Sequence, residues 1–206
     1  MINRKKKLVT TALAETWPRG KDENVLFLGD WCLLYSNKKQ WSKMDYELVS
    51  YHWDDRNKLY ADYQYLNNYY ERLIIGLKLQ LNQQHGVDFS SRYWRILIGP
   101  WIAYFIQMFF DRWCSVQNAI KLSVTLETKI VKYSFEEMVP LGFGDFPKYF
   151  VSDEWNHFLY STILAEYSAV DCEEVVPNSS FPLNHQVARI SFKEKLKRKI
   201  KTANYY

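Results

Sequence analysis

Residues 90–121 read SSRYWRILIGPWIAYFIQMFFDRWCSVQNAIK, and no charged side chain falls between Arg95 and Asp111. A run of that kind is short of the roughly twenty apolar residues needed to cross a bilayer. Gly99-Pro100 interrupts it, Gln107 sits within it, and Arg92, Arg95, Asp111 and Arg112 close its ends. Trp94, Leu97, Trp101, Phe105 and Met108 recur at three- and four-residue steps, as one helical face does. Because apolar residues also fill the other faces, the pattern predicts a central helix covered nearly all round, kinked at Pro100.

A helix of that character needs partners, and the preceding segment supplies one. Leu59, Tyr63, Leu66, Tyr70, Leu73, Leu77 and Leu81 step by four and three residues, a heptad-like stripe. Asp54 and Asp55 stand where this helix begins, favourable to its positive end, and Gly86 is placed as its C-terminal cap. Ser90 or Ser91 then caps the next helix. Two long helices joined by so short a loop form an antiparallel hairpin.

Around the hairpin the chain reads as α/β. Lys7–Thr11, Val25–Leu28 and Glu47–Ser50 are predicted strands. Val25–Leu28, apolar throughout, suits a buried parallel strand. Residues 123–133 alternate well enough for another strand, with a continued helix as the alternative. Pro140–Pro147 reads as a loop. Ser152 opens a further helix with Asp153 and Glu154 in its first turn and Trp155, Phe158, Leu159 and Ile163 as its buried stripe. Pro177–Pro182 breaks the chain, so residues 1–176 form one lobe and 177–206 a linker with a basic end.

The formal net charge of +4 is unevenly placed. Arg4–Lys7 carries +4 and Lys193–Lys201 carries +5 (six basic residues less Glu194), leaving the body acidic. Basic ends on an acidic body suit anionic lipid headgroups or nucleic acid, or simply solvated termini. If helical, Ser191–Lys201 places Phe192, Leu196 and Ile200 on one face, a basic amphipathic pattern suited to peripheral contact with an anionic membrane. No nucleic-acid module is legible. Cys32, Cys114 and Cys172 are widely spaced and odd in number, which argues against a disulfide framework and for a reducing cytoplasm. Nothing resembles a signal peptide. Eight Trp and sixteen Tyr suit a wet aromatic groove as well as a core.

Chemistry is densest at His52-Trp53-Asp54-Asp55-Arg56. His52 has the makings of a general base, Asp54 or Asp55 of its carboxylate partner, and Arg56 of a phosphate-binding group. Equally, the two Asp residues would cap the helix and Arg56 would pair with one of them. A metal site on His52, Asp54 and Asp55 matches no zincin spacing. Arg92 and Arg95, one turn apart, either grip a phosphate or pair with acidic neighbours. Ligands of open α/β sheets collect at strand carboxyl ends, which points to Thr10 and Thr11 and to Gly29-Asp30-Trp31, where glycine permits close approach. No GxGxxG, P-loop or nucleophile elbow is present. His85, His157 and His185 are isolated and read as surface or satisfied core residues.

The stretches LVTTALAETWP, VLFLGDWCLLYS, YHWDDRNKLYADYQYL, NQQHGVDFSSRYWRILIGPWIAYFIQMFFDRW and DEWNHFLYSTIL resemble a bacterial family. It is the transferases of O-antigen and surface-polysaccharide gene clusters, first labelled from Leptospira, whose members are longer. The resemblance covers residues 7–170. It implies a helix-rich Rossmann-like N-terminal lobe of a glycosyltransferase-B-like protein, working with a nucleotide-activated sugar or alditol donor bound mainly by a C-terminal lobe or a neighbouring chain. The acceptor would be a polysaccharide precursor, lipid-linked at the inner membrane. Glu15, His52, Asp54, Asp55 and Arg56 match the family pattern, and we assign Glu15, His52, Asp54 and Asp55 to the catalytic set. Arg56, Arg92 and Arg95 would neutralise phosphate. A non-catalytic acceptor-binding or interaction lobe is the alternative.

Overall fold

The computed structural model describes residues 5–20, 24–122 and 126–177. Five strands form one sheet: β1 (Lys6–Val9), β2 (Val25–Phe27), β3 (Tyr46–Leu48), β4 (Leu126–Val131) and β5 (Asp171–Val175). Every pairing is parallel, in the order β3-β2-β1-β4-β5. The first three begin within one residue of the predicted strand starts. β5, DCEEV, went unforeseen because it is an edge strand, mostly exposed and carrying three carboxylates, so it lacks the apolar run that marks a buried strand.

The helices are α1 (Lys38–Trp41), α2 (Arg56–His85), α3 (Ser91–Leu122), α4 (Phe135–Met138), α5 (Phe146–Phe150) and α6 (Asp153–Tyr167). Strand side chains alternate between faces, and the core divides accordingly. Leu8 and Leu26 pack with Val116 and Ala119 of α3 and Tyr160, Ile163 and Leu164 of α6. Val9, Val25 and Phe27 point the other way and are closed over by Trp17 and Cys32, with Trp41 and Tyr46 at the margin. At roughly 1.5–3 kcal/mol for each large apolar side chain buried, these two layers hold the sheet between α3/α6 and an aromatic loop layer.

The hairpin forms as predicted. Asp55 caps α2, accepting from the backbone N–H groups of Asn57 and Lys58. Gly86 closes it at φ 63°, in the left-handed region. Ser90 Oγ accepts from Tyr93 N at the start of α3. Ile74, Ile102 and Ile106, with Tyr70, Leu73, Leu77 and Ile98, zip the two helices together.

One expectation fails. The central helix is not covered all round: Tyr93, Ile96, Leu97, Trp101 and Tyr104 are exposed, because α2 lies along one side of the first half of α3 and, among the described residues, only Phe143 and Phe146 approach Tyr104 and Trp101 on the other. The described lysines of the basic N-terminal run make ion pairs. Lys5, Lys6 and Lys7 pair with Asp171, Glu47 and Glu127, which the neighbouring strands bring alongside. The basic segment 191–201, and nearly all of the linker before it, lie outside the described residues. Among those described, no helix is long and apolar enough to cross a membrane.

Candidate functional site

The sheet order reverses at β1, with β2 and β3 on one side and β4 and β5 on the other. In open parallel sheets such a switch marks where ligands bind, beyond the strand carboxyl ends. A cleft of about 700 Å³ opens on that edge. Gly29, Asp30 and Trp31 after β2 and Leu48–Tyr51 with Asp54 after β3 form one wall. Asp111 and Arg112 of α3, with Phe150, Val151, Asp153, Asn156 and Tyr160 from α5 and α6, form the other.

One continuous polar network braces the floor. His52 Nε2 lies 2.9 Å from Asp111 Oδ1, and Arg112 Nη1 donates to Asp111 Oδ2 at 2.5 Å. Arg112 Nε and Nη2 both donate to Asn156 Oδ1, at 3.0 and 2.9 Å. Asn156 Nδ2 in turn donates to the carbonyls of Phe150 and Ser152. The amide is thereby fixed with its oxygen toward arginine. Of the five guanidinium N–H donors, three are engaged by described residues, and Arg112 is itself one of the residues lining the cleft.

The two best-placed carboxyls are driven in opposite directions. Burial opposes ionisation of Asp111, but the His52 hydrogen bond, the Arg112 charge and the Tyr51 hydroxyl outweigh it and hold its pKa below the ordinary value. Asp153, the first residue of α6, is pushed up by burial, with only the Ala12 N–H bonded to Oδ1 at 3.3 Å to oppose this. The surroundings thus favour the anion at Asp111, whereas burial disfavours it at Asp153. Paired groups separated in this way are what acid–base chemistry requires.

Aromatic faces complete the cleft. Trp31 stacks on Tyr160 at 6.3 Å with an interplanar angle of 3° and meets Tyr51 edge-on. Its indole N–H is anchored to the Thr10 carbonyl at 2.9 Å.

A family model described as LIC12162 family transferase matches residues 6–205. The chain belongs to that family. The match crosses the boundary expected at residue 176, so the family's pattern extends into the basic end. Neither the curated proteins nor the solved structures yield a match.

In this transferase the predicted site residues part company. Gly29, Asp30, Trp31 and Asp54 line the cleft. A Cβ on Gly29 would stand 2.2 Å from the Trp31 ring, so the glycine makes room for an indole rather than for a ligand. His52 is buried against Asp111 and is not among the residues that line the cleft. Asp55 is consumed as the α2 cap. Arg56 is exposed outside the cleft, and Glu15 lies half-buried in the turn after β1, also outside it.

Thr10 and Thr11 are buried beneath the cleft. Thr10 Oγ1 lies 3.0 Å from Nδ1 of His157, whose Nε2 accepts from Val131 N at 2.9 Å. An acceptor Nε2 leaves the proton on Nδ1, so His157 is a neutral, satisfied core histidine. Arg95 makes a bidentate pair with Glu71 at 2.6 and 2.5 Å. It sits sixteen residues before Asp111 on one helix, roughly 24 Å away at 1.5 Å per residue. Arg92, a turn earlier and exposed, is equally remote.

Sequence reasoning passed over Asp111, Arg112, Asp153 and Asn156. A signal existed: Asp111-Arg112 is an ionisable pair set into an otherwise apolar helix, where burial without a partner is costly. Among the described residues no three His, Cys, Asp or Glu side chains converge as metal ligands would.

Proposed function

We propose that this cleft takes the hydroxyl-bearing acceptor of a group transfer, a sugar or alditol of a surface-polysaccharide precursor, and that Asp153 is its general base. In the proposed step the Asp153 carboxylate removes the acceptor hydroxyl proton. The oxygen attacks the anomeric carbon or phosphorus of an activated donor, and the donor's phosphate leaves with the bonding electrons. Arg112 meets the negative charge that develops, and His52 acts as a positioning residue that keeps Asp111, and through it Arg112, in place. Trp31, backed by the buried Tyr160, and exposed Tyr51 offer the aromatic surface that sugar rings pack against.

The observation that carries this reading is a cleft in a transferase-family chain that gathers Asp153, Asp111 and Arg112, with Arg112 held by Asp111 and Asn156. The switched parallel sheet supports a Rossmann-like lobe of a glycosyltransferase-B-like architecture. Asp30, Asp54, Asp111 and Asp153 against Arg112 would repel a diphosphate, which favours donor binding on another lobe or chain.

The test is complementation of a strain lacking the protein with full-length Asp153→Asn, scored by surface polysaccharide on gels. The isosteric amide cannot take a proton, and loss of a general base costs about 10²–10⁴-fold in rate. Loss of polymer with an unchanged thermal melt is the expected result. Normal polymer would remove Asp153 from catalysis and leave the cleft a binding site.

A further inference from the structure

We propose that the outer face of the first half of α3 is a docking surface for the interface of an anionic lipid bilayer. This inference is independent of the catalytic reading, because it concerns the far end of the hairpin from the cleft. Tyr93, Ile96, Leu97, Pro100, Trp101 and Tyr104 follow at three- and four-residue steps and share one helical face. Ile98, Ile102 and Ile106 occupy the opposite face, against α2. The outer face is open: Ile96 is 71% exposed, Leu97 61% and Tyr104 59%. At its inner end the face reaches the body, where Trp101 meets Phe146 at 6.3 Å and Tyr104 meets Phe143 at 6.2 Å. A contiguous apolar surface of this extent marks an interaction site rather than ordinary scatter.

Charge selects the occupant. Residues 71–104 carry Arg72, Lys78, Arg92 and Arg95 against Glu71 and Asp88. Residues 126–177 carry ten carboxylates against three lysines. The molecule is thus polarised, with a basic apolar projection at one end and an acidic body at the other. An anionic membrane would attract the first and repel the second. Side-chain type agrees: Tyr93, Trp101 and Tyr104 have apolar rings with polar tips, the kind enriched at the headgroup level. No described helix can span a bilayer, so the face lies on the surface, as an amphipathic interfacial helix does.

The experiment is sedimentation of the full chain with phosphatidylcholine vesicles, with and without phosphatidylglycerol, at low and high salt. The expected result is binding that requires phosphatidylglycerol, weakens with salt, and falls roughly ten-fold or more in Ile96→Glu/Leu97→Glu, since two apolar anchors are withdrawn. Circular dichroism should show that variant melting like the parent. As a second readout, brominated acyl chains should quench tryptophan fluorescence, and Trp101→Phe should lower that quenching. Three outcomes overturn the proposal. One is no sedimentation with phosphatidylglycerol at low salt. Another is binding that survives Ile96→Glu/Leu97→Glu but is lost in Lys195→Glu/Lys197→Glu, which would assign it to the basic end. The third is a dimer in sedimentation velocity that the Ile96→Glu/Leu97→Glu change disperses, which would assign the face to a second copy of the chain.

Discussion

The two halves of α3 solve opposite problems with the same helix. From Asp111 onward the helix is packed against the sheet and α6, and its one carboxylate is buried: Asp111 has His52 on one oxygen and Arg112 on the other. Before Trp101 it stands with α2 alone, and its ion pair, Arg95–Glu71, is exposed at the surface. Both halves contain an arginine–carboxylate bond of about the same length. Length therefore does not distinguish them; the surroundings do. In water an ion pair only replaces good hydration, and most surface pairs contribute little. In the interior each partner is needed to make the other tolerable.

The largest effect should come from breaking the buried side of this comparison. Asp111→Ala leaves Arg112 without its carboxylate and His52 without a partner on either ring nitrogen, since Nδ1 already has none among the described residues. Removal of one member of a buried pair costs about 3–5 kcal/mol, and urea unfolding should show a loss of that size. Glu71→Ala, the matching cut at the exposed pair, should leave the midpoint where it was. Equal losses at the two positions would mean that burial does not separate them.

Acid should find the cleft end of the molecule next. Burial pushes His157 down to about 4 from its ordinary 6.5. A histidine whose folded pKa is depressed is neutral in the fold, while the unfolded chain takes up the proton first as pH falls. Its contribution is therefore intact above about pH 6.5 and declines between about 6.5 and 4, by roughly 3 kcal/mol at 1.36 kcal/mol per unit. Urea midpoints across that window should fall in the parent and flatten in His157→Gln. A parent curve that stays level would show that the buried imidazole accommodates the charge.

Gly29→Ala tests the cleft wall more gently. The new methyl would meet a Trp31 ring that is pinned by the Thr10 carbonyl and stacked on Tyr160, so the indole can yield only by giving up one of these contacts. Overpacking of this kind costs about 1–3 kcal/mol, measurable by thermal melt, with a change in Trp31 fluorescence. An unchanged melt would mean that the wall is looser than its hydrogen bond implies.

These contrasts also explain how much of the fold and the cleft was legible in the sequence. The hairpin was legible because heptad spacing, Asp55 and Gly86 are local signals, each set by residues within a turn or two. Strand β2 was legible for the same reason, as an apolar run bounded by turns, while β1 and β3 were placed as short strands on weaker patterns. The Gly29–Trp31 segment was singled out because ligands gather just beyond the carboxyl ends of parallel strands, and Asp54 because it stands in the polar cluster His52–Arg56. The network was not legible, because Asp111 and Asn156 meet Arg112 only once α3 and α6 are laid on one face of the sheet. His52 drew attention as the histidine of a polar cluster, yet its partner lies 59 positions away. The coverage of α3 was misjudged because composition records how apolar a helix is, not whether the fold supplies something to cover it.

The smallest effect is expected where the sequence looks most like core. By hydrophobicity alone, Ile96→Ser/Leu97→Ser strikes the centre of the most apolar stretch in the chain, and a buried site would lose several kcal/mol. In the fold both side chains already face water, so little area leaves contact with protein when they are shortened. The helix loses only the modest propensity difference between serine and its replaced residues. Stability should therefore stay within about 0.5 kcal/mol of the parent, the usual range for surface changes. Urea unfolding monitored by circular dichroism decides the matter. A loss of several kcal/mol would mean that the outer face of α3 is covered in solution, whether by the chain's own remaining residues or by another copy. An unchanged midpoint leaves the face open and apolar, which is the state that a bilayer interface would occupy.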